Sequence, residues 1–348
     1  MKFNTKCVHG SGKPDSTGAI SPAIYMSSTF THPGLGETTG FQYTRESNPT
    51  RDRLETLIAG LEEGTDAIAF SSGMAAVDAV FHLFSPGDHV ILGDDLYGGS
   101  IRLFTNIYEK NGVEFTYVGT SDLDAVQAAF KPNTKAVYIE TPTNPMMEIT
   151  DVRALSKMAH DRNALVIVDN TFLSPYFQKP LHLGADIVVH SGTKFIGGHH
   201  DVISGFTIVK DDELAAQLRL IYKTVGACLS AFDSWLVIRG IKTLALRMEQ
   251  HQKNAIALAE WLKQEPKVTK VLFPGLPEHP GYEVNKSQTT GFGGMLSFEV
   301  DSEETAKQVL EGIQLIQFAE SLGGTESLLT YPVTQTHPDL KPEDAERK

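Results

Sequence analysis

Four short stretches of the 348-residue chain combine residue types that could do chemistry together. The first is Val189-His190-Ser191-Gly192-Thr193-Lys194-Phe195-Ile196-Gly197-Gly198-His199-His200. Ser191 and Thr193 offer two hydroxyls that could hold phosphate oxygens. Lys194 sits between that pair and an apolar, glycine-containing run. A lysine on a loop is usually solvated, but one held against apolar neighbours has a lowered pKa and a nucleophilic amine. His199 and His200 invite a metal reading, yet adjacent histidines point apart and only Asp201 lies near, so no metal is expected.

The second stretch is Phe70-Ser71-Ser72-Gly73-Met74-Ala75-Ala76, an apolar run, a turn and a helix start. Free N–H groups at a helix N-terminus attract anions, and Gly73 lets a phosphate come close. Most such turns bind nothing, and this one is neither GxxxxGK[ST] nor GxGxxG, so a nucleotide is not indicated. The third, Val166-Ile167-Val168-Asp169-Asn170-Thr171, ends an apolar run on an acid. Asp169 is either a turn or capping residue, or a buried carboxylate that pairs with a protonated ring nitrogen. The fourth, Asp94-Asp95-Leu96-Tyr97-Gly98-Gly99-Ser100, leaves Tyr97 either packed in the core or free to stack on a planar ring.

The elements that must carry these stretches are legible as alternating patterns. Short apolar runs occur at Ala67–Phe70, His89–Leu92, Glu114–Val118, Ala136–Ile139, Leu165–Val168, Ile187–Val189 and Phe206–Val209. Nearly continuous apolar strings are expected of strands covered on both faces. Helix candidates lie between them, among them Arg53–Leu61, Met74–Leu83 and Asp122–Phe130, the last with Asp122 near its start. This alternation predicts an α/β fold with a mostly parallel sheet. All four chemical stretches then fall at strand C-terminal ends, the edge where open α/β sheets collect ligands. One ligand accounts for that coincidence better than four separate structural accidents.

Residues 1–49 are rich in Gly, Pro, Ser and Thr but hold Tyr25, Phe30, Phe41 and Tyr43, which favours an extended arm on a partner subunit over a floppy tail. Residues 50–232 form the expected main domain. Residues 233–348 read as a smaller α+β domain, with a long helix over Asp233–Ala259, broken at Gly240, a strand at Met295–Val300 and a helix at Glu303–Glu311. Composition bounds the rest. Asp and Glu number 43 against 30 Lys and Arg, a net charge of −13, which disfavours nucleic acid and anionic membranes as partners. No apolar run is long enough to span a bilayer and no secretory signal is seen. The two cysteines, Cys7 and Cys228, are far apart, as in a reduced cytoplasmic protein.

At these motifs the chain closely resembles the Cys/Met-metabolism (transsulfuration) family of pyridoxal-phosphate enzymes, from about His9 to His337. The most specific match is Ala185-Asp186-Ile187-Val188-Val189-His190-Ser191-Gly192-Thr193-Lys194. Further matches are Tyr43-Thr44-Arg45 with Asn48-Pro49-Thr50, Ser71–Met74, Glu140–Pro145, Asp169–Thr171 and Ser321–Ser327. The resemblance implies fold type I, the aspartate-aminotransferase-like fold, and pyridoxal 5'-phosphate as cofactor. It implies that Lys194 holds the cofactor as a Schiff base and shuttles protons. Asp169 would pair with the pyridinium nitrogen, and Tyr97 would stack on the ring and assist amine exchange. Gly73, Met74, Ser191 and Thr193 would hold the phosphate. Tyr43 and Arg45 would reach the phosphate of a neighbouring subunit, in a homotetramer built as a dimer of dimers. Asn144 and Ser321 would lie by the substrate carboxylate and Glu326 by a distal amine. The family's carboxylate-clamping arginine, in an Arg-x-Ser-Val-Gly stretch beyond Thr336–His337, has no counterpart up to Lys348 and is not assigned. Gly192 stands where many relatives carry Ala, with little effect expected.

The expected reaction is γ-elimination of cystathionine to cysteine, 2-oxobutanoate and ammonia, with β-elimination as a side activity. Cystathionine γ-synthase or O-acetylhomoserine sulfhydrylase chemistry is the main alternative. A methionine γ-lyase is disfavoured because Gly99 stands where those relatives carry Cys. A non-catalytic cofactor-binding module is the reading from a different class, opposed by the intact Lys194, Asp169 and Tyr97.

Overall fold

The computed structural model describes residues 1–335, so the Thr336–His337 region lies outside the described residues. Strands β1 (Asp66–Phe70), β2 (His89–Gly93), β3 (Glu114–Val118), β4 (Thr134–Glu140), β5 (Leu165–Asp169), β6 (Ile187–Ser191) and β7 (Gly205–Val209) form one sheet. Its order is β1-β7-β6-β5-β4-β2-β3. Strands β2 to β6 run parallel, and β7 is antiparallel to both β6 and β1. The sheet explains the continuous apolar runs. Val137, Ile139, Val166, Val168 and Val188 enter one core, while Ala136, Tyr138, Ile167, Ile187 and Val189 enter the other. The central strands β4, β5 and β6 are therefore buried on both faces, whereas the edge strand β3 is partly exposed.

The N-terminal residues begin with helix α1 (Phe3–His9), which the composition of this region does not suggest. It is ordered on its own chain: Cys7 is buried in the main core and the Phe3 ring meets Tyr176 edge-on at 5.3 Å. Its seven residues make barely two turns, too few for a helical period to stand out. Helix α2 (Pro49–Glu62) starts at Asn48, whose side chain accepts the Thr50 N–H at 2.9 Å, with Pro49 in the first turn. Arg219 fixes α2 to β1, reaching Glu55 at 2.7 Å and Asp66 at 2.6 Å. Glu55 in turn accepts the Ala69 N–H at 2.9 Å. This clamp sets the strand end from which the Ser71–Gly73 turn and helix α3 (Gly73–Phe81) leave.

The predicted long helix is two helices, Ala231–Ile241 and Leu244–Leu262. The break falls at Lys242-Thr243 and not at Gly240, which is buried inside the first helix. Gly240 is needed there for contact instead, since a Cβ would lie 2.2 Å from the Gly197 carbonyl oxygen. Strands β8 (Val268–Leu272) and β9 (Ser297–Val300) pair antiparallel, with helix Glu303–Gly312 against β9.

Two glycines let the site's backbone segments meet. A Cβ on Gly205 would lie 2.1 Å from the Ser72 carbonyl oxygen, which is backbone and cannot swing aside. A Cβ on Gly192 would lie 2.3 Å from Phe206 Cε2, so glycine here matches the buried ring beneath it. Gly205→Ala should lower stability by about 1–3 kcal/mol, the usual penalty of overpacking, and loosen the Ser72 turn. A thermal melt equal to that of the parent protein would refute this.

Candidate active site

A cavity of about 1060 Å³ opens at the C-terminal edge of the parallel strands. Lys194, Tyr97, Gly73, Met74, Asp169, Ser191, Thr193, Asn144, Ser321 and Glu326 all line it. The fold thus brings together every residue singled out in the sequence except Tyr43 and Arg45.

The loop after β6 carries Lys194, whose Nζ donates to Ser321 Oγ at 3.1 Å. Burial lowers the pKa of this amine, while Glu320 and Asp169 raise it from a distance. The backbone around Lys194 is held from two sides. Arg247 donates to the Phe195 carbonyl at 2.6 Å, to the Gly240 carbonyl at 3.0 Å and from Nε to Thr243 Oγ1 at 3.0 Å. Burial brings its guanidinium pKa down to about 10. On the other side Gly323 packs so closely that a Cβ would lie 2.6 Å from the Phe195 nitrogen.

Asp169 ends β5, where Thr171 N–H donates to Oδ1 at 2.9 Å. Thr171 Oγ1 accepts the Ser191 N–H at 2.8 Å, so the acid and lysine loops are tied together. Burial raises the Asp169 carboxyl pKa, against the hydrogen bonds from Thr171, the charge of His190 and Tyr138. A cationic partner facing this carboxylate would bring it back down.

The anion end is built mostly from backbone. The first N–H groups of a helix lack partners inside it. Ser72 Oγ takes that of Ala75 at 3.0 Å, and Gly73 and Met74 begin α3 at the cavity wall. A Cβ on Gly73 would sit 2.9 Å from Ser191 Cβ, so glycine keeps this cradle open. Thr193 Oγ1 bonds the Ser204 backbone, accepting from its N–H at 3.1 Å and donating to its carbonyl at 3.3 Å.

Tyr97 stands half-exposed at the cavity, its N–H donated to Glu140 Oε1 at 3.0 Å. Asp95 Oδ2 accepts the Met146 N–H at 3.0 Å and joins this loop to the one carrying Asn144. Gly99 admits the Tyr97 ring, since a Cβ there would lie 2.4 Å from Tyr97 Cε1. Glu326 is exposed at the rim, with His200 Nε2 3.8 Å from its carboxylate. His199 Nδ1 bonds the Gly197 carbonyl at 2.8 Å, a loop contact. Among the described residues no group of His, Cys, Asp and Glu is placed to hold a metal ion.

Tyr43 and Arg45 lie away from this cavity. Arg45 donates to the Lys223 carbonyl and its guanidinium sits 5.5 Å from the centre of the exposed Tyr43 ring. Sequence reasoning also passed over wall residues and supports. Glu140 carries the same signal as Asp169, an acid ending an apolar strand. Arg247 gives no signal, because an arginine on a long helix reads as solvated.

These residues fit pyridoxal 5'-phosphate: an anion cradle at one end, a buried carboxylate at the other, a desolvated amine and an aromatic ring between. The comparisons agree. The model of the Cys/Met metabolism PLP-dependent enzyme family matches residues 4–348. A cystathionine beta-lyase of Lactococcus lactis is 48% identical over 98% of this chain and 90% of its own length. A cystathionine gamma-synthase of Haemophilus influenzae is 50% identical over 95% of this chain and 86% of its own. The crystal structure of cystathionine gamma-lyase from Lactobacillus plantarum complexed with L-serine superposes with a TM-score of 0.97 at 46% identity. It covers 100% of this chain and 91% of that one. If Lys194 is the amine that bonds the cofactor aldehyde, borohydride should fix pyridoxal phosphate to the parent protein and not to Lys194→Ala. A reduced adduct at the same site in the variant would refute the assignment.

Proposed function

Since the chain belongs to the Cys/Met metabolism family of pyridoxal-phosphate-dependent enzymes, we propose that it cleaves cystathionine by γ-elimination. The products are cysteine, 2-oxobutanoate and ammonia, with β-elimination accompanying. The observation that carries this reading is the setting of Lys194. Its amine is desolvated and hydrogen-bonded to a neutral hydroxyl, not locked in an ion pair. Such an amine is free to take a proton, and its flexible stem can reach two adjacent carbons.

When bound, pyridoxal phosphate supplies the sink for electrons released at the substrate carbons. The chain's own residues do the rest. Gly73, Met74, Ser191 and Thr193 would hold the phosphate. The Asp169 carboxylate would pair with the ring nitrogen and keep it protonated. Tyr97 would cover the ring and assist amine exchange. Lys194 Nζ would take the proton from Cα, hand it on to the bound cofactor, take a second from Cβ, and return that one to the departing γ-sulfur, so that cysteine leaves as the thiol. Asn144 and Ser321 orient the substrate carboxylate. Glu326, at the rim, meets the distal amine of a long substrate, a contact that favours cystathionine over a short thiol amino acid.

The relatives' names do not choose the reaction. Proteins named cystathionine beta-lyase, gamma-lyase and gamma-synthase all match at 48–50% identity. γ-Replacement is therefore the second reading. We also propose the division into an arm (1–49), a cofactor-binding part (50–232) and a C-terminal part (233–348), and a dimer of dimers in which Tyr43 and Arg45 complete a neighbour's phosphate site. Their position away from the cavity of their own chain supports this. A cytoplasmic setting rests on the two free cysteines. Among the described residues no helix is long and apolar enough to cross a membrane.

Cystathionine alone should yield cysteine and 2-oxobutanoate from the loaded protein. Cystathionine made only from O-acetyl- or O-succinylhomoserine plus cysteine would replace the lyase reading with the synthase. Homocysteine and pyruvate as main products would make it a β-lyase. For the shared site, Arg45→Ala should weaken pyridoxal phosphate binding about tenfold, the loss of one charge-assisted contact. Unchanged affinity would remove Arg45 from the site.

A further inference from the structure

Tyr138 is a residue that neither the motifs nor the proposed mechanism uses. It lies in β4, fully buried. Its strand register places it beside Ile167, and Glu140 beside Asp169, so Tyr138 and Asp169 share one face of the sheet two residues apart along it. The ring packs among aromatic side chains, 5.7 Å from Phe81 and 5.6 Å from Phe104 between centroids. Its hydroxyl is sealed from water and meets no partner at full hydrogen-bond geometry among the described residues. The polar side chains within its reach are those of Ser100 and Asp169. A strand residue that only filled the core would need no hydroxyl here, since burying one without a partner is unfavourable.

We propose that Tyr138 is a positioning residue for the cofactor site: its phenol donates to the Asp169 carboxylate from within the core and holds that carboxylate ionised and aimed at the cofactor ring. This rests on the reading of Asp169 as the partner of the ring nitrogen. The direction of donation is fixed by chemistry. Burial first, and then the charges of Asp169 and Glu140, hold the phenol well above its ordinary pKa, so it stays protonated. A protonated phenol next to a carboxylate can only donate to it. The bond disperses charge on Asp169, lowers its affinity for a proton and leaves that proton on the ring nitrogen. The other groups acting on Asp169 are Thr171, His190 and the Lys194 amine. His190 is bound to Glu62 at 2.6 Å and sits on the next strand.

The test is the visible absorption of the pyridoxal-phosphate-loaded protein as a function of pH, for the parent, Tyr138→Phe, Asp169→Asn and the double variant. Loss of the phenol makes Asp169 more basic and the ring less electron-poor. The midpoint of the absorption change should therefore rise, by about half a pH unit given that a bond to a charged group is worth more than one unit at its own site. In the Asp169→Asn background the same substitution should produce no further shift, because the two act through one contact. An unmoved midpoint in Tyr138→Phe, or an equal shift in both backgrounds, overturns the proposal. If Asp169→Asn itself leaves the midpoint unchanged, the assignment of Asp169 fails, and the proposal with it. Phe is a core residue of the same shape, and thermal melts of all four proteins identify any variant that fails to fold. Should Tyr138→Phe be such a variant, Ser100→Ala removes the competing partner while keeping the phenol, and an upward shift from that change would refute the donation to Asp169.

Discussion

The site depends on keeping the Lys194 amine out of water without giving it a carboxylate to bind. Either condition alone defeats the chemistry. In water the amine stays protonated at neutral pH, and against an adjacent carboxylate it is held protonated more firmly. The chain meets both by placing Lys194 in a tight loop after β6 and turning its amine to the Ser321 hydroxyl. The acids that it feels, Glu320 and Asp169, act through space and only partly offset burial. Ser321 belongs to a segment that packs through Gly323 on the lysine's own backbone, so residues 321–323 cover the Lys194 loop as well as walling the cavity.

That demand explains features distant from the amine. A buried loop cannot rely on solvent for its backbone carbonyls. Arg247 supplies those bonds to Phe195 and Gly240, and its guanidinium reaches backbone oxygens where a surface arginine would meet an acid. Gly198, at φ +73°, leaves room for that guanidinium, since a Cβ would lie 2.1 Å from it. On the sheet side β7 runs antiparallel between β6 and β1 and brings Gly205 against Ser72. The lysine loop and the phosphate turn are thereby fixed relative to each other by backbone packing. Rigid elements hold such geometry more closely than side chains could.

How much of this was legible followed from what each feature depends on. The central strands were found because burial on both faces leaves a run of apolar residues that survives any detail of packing, and the edge strand β3 because its short β-rich run stands between polar segments. Lys194, Asp169 and Gly73 could be expected at one edge because each lies at or a few residues beyond the end of an apolar run, and all three line the cavity. Helix α1 was missed because its order comes from docking Phe3 and Cys7 on distant elements, not from its own seven residues. The helix break was misplaced because Gly240 is required by a contact with Gly197, which no local pattern records. Arg247 and Tyr138 were invisible for the same reason: their meaning lies in what stands opposite them in space.

The two halves of the cavity also differ in a way that bears on how one scaffold supports several reactions. The cofactor half is made from strand ends and the first turn of α3, tied together by buried backbone contacts. The opposite wall, proposed to meet substrate, is made in large part from residues 317–335, where Glu320 and Glu326 are exposed and secondary structure is limited to a two-residue strand pair. Changes on a strand end disturb the core beneath it, whereas changes on an exposed loop disturb little else. Relatives named for β-elimination, γ-elimination and γ-replacement match nearly the whole of this chain, and a γ-lyase and a γ-synthase of 46% and 40% identity superpose on it equally well, each with a TM-score of 0.97. The common scaffold therefore goes with the shared cofactor, and under the proposed mechanism the choice among outcomes would fall to the reach of the Lys194 amine and to the wall that sets which substrate carbon it meets.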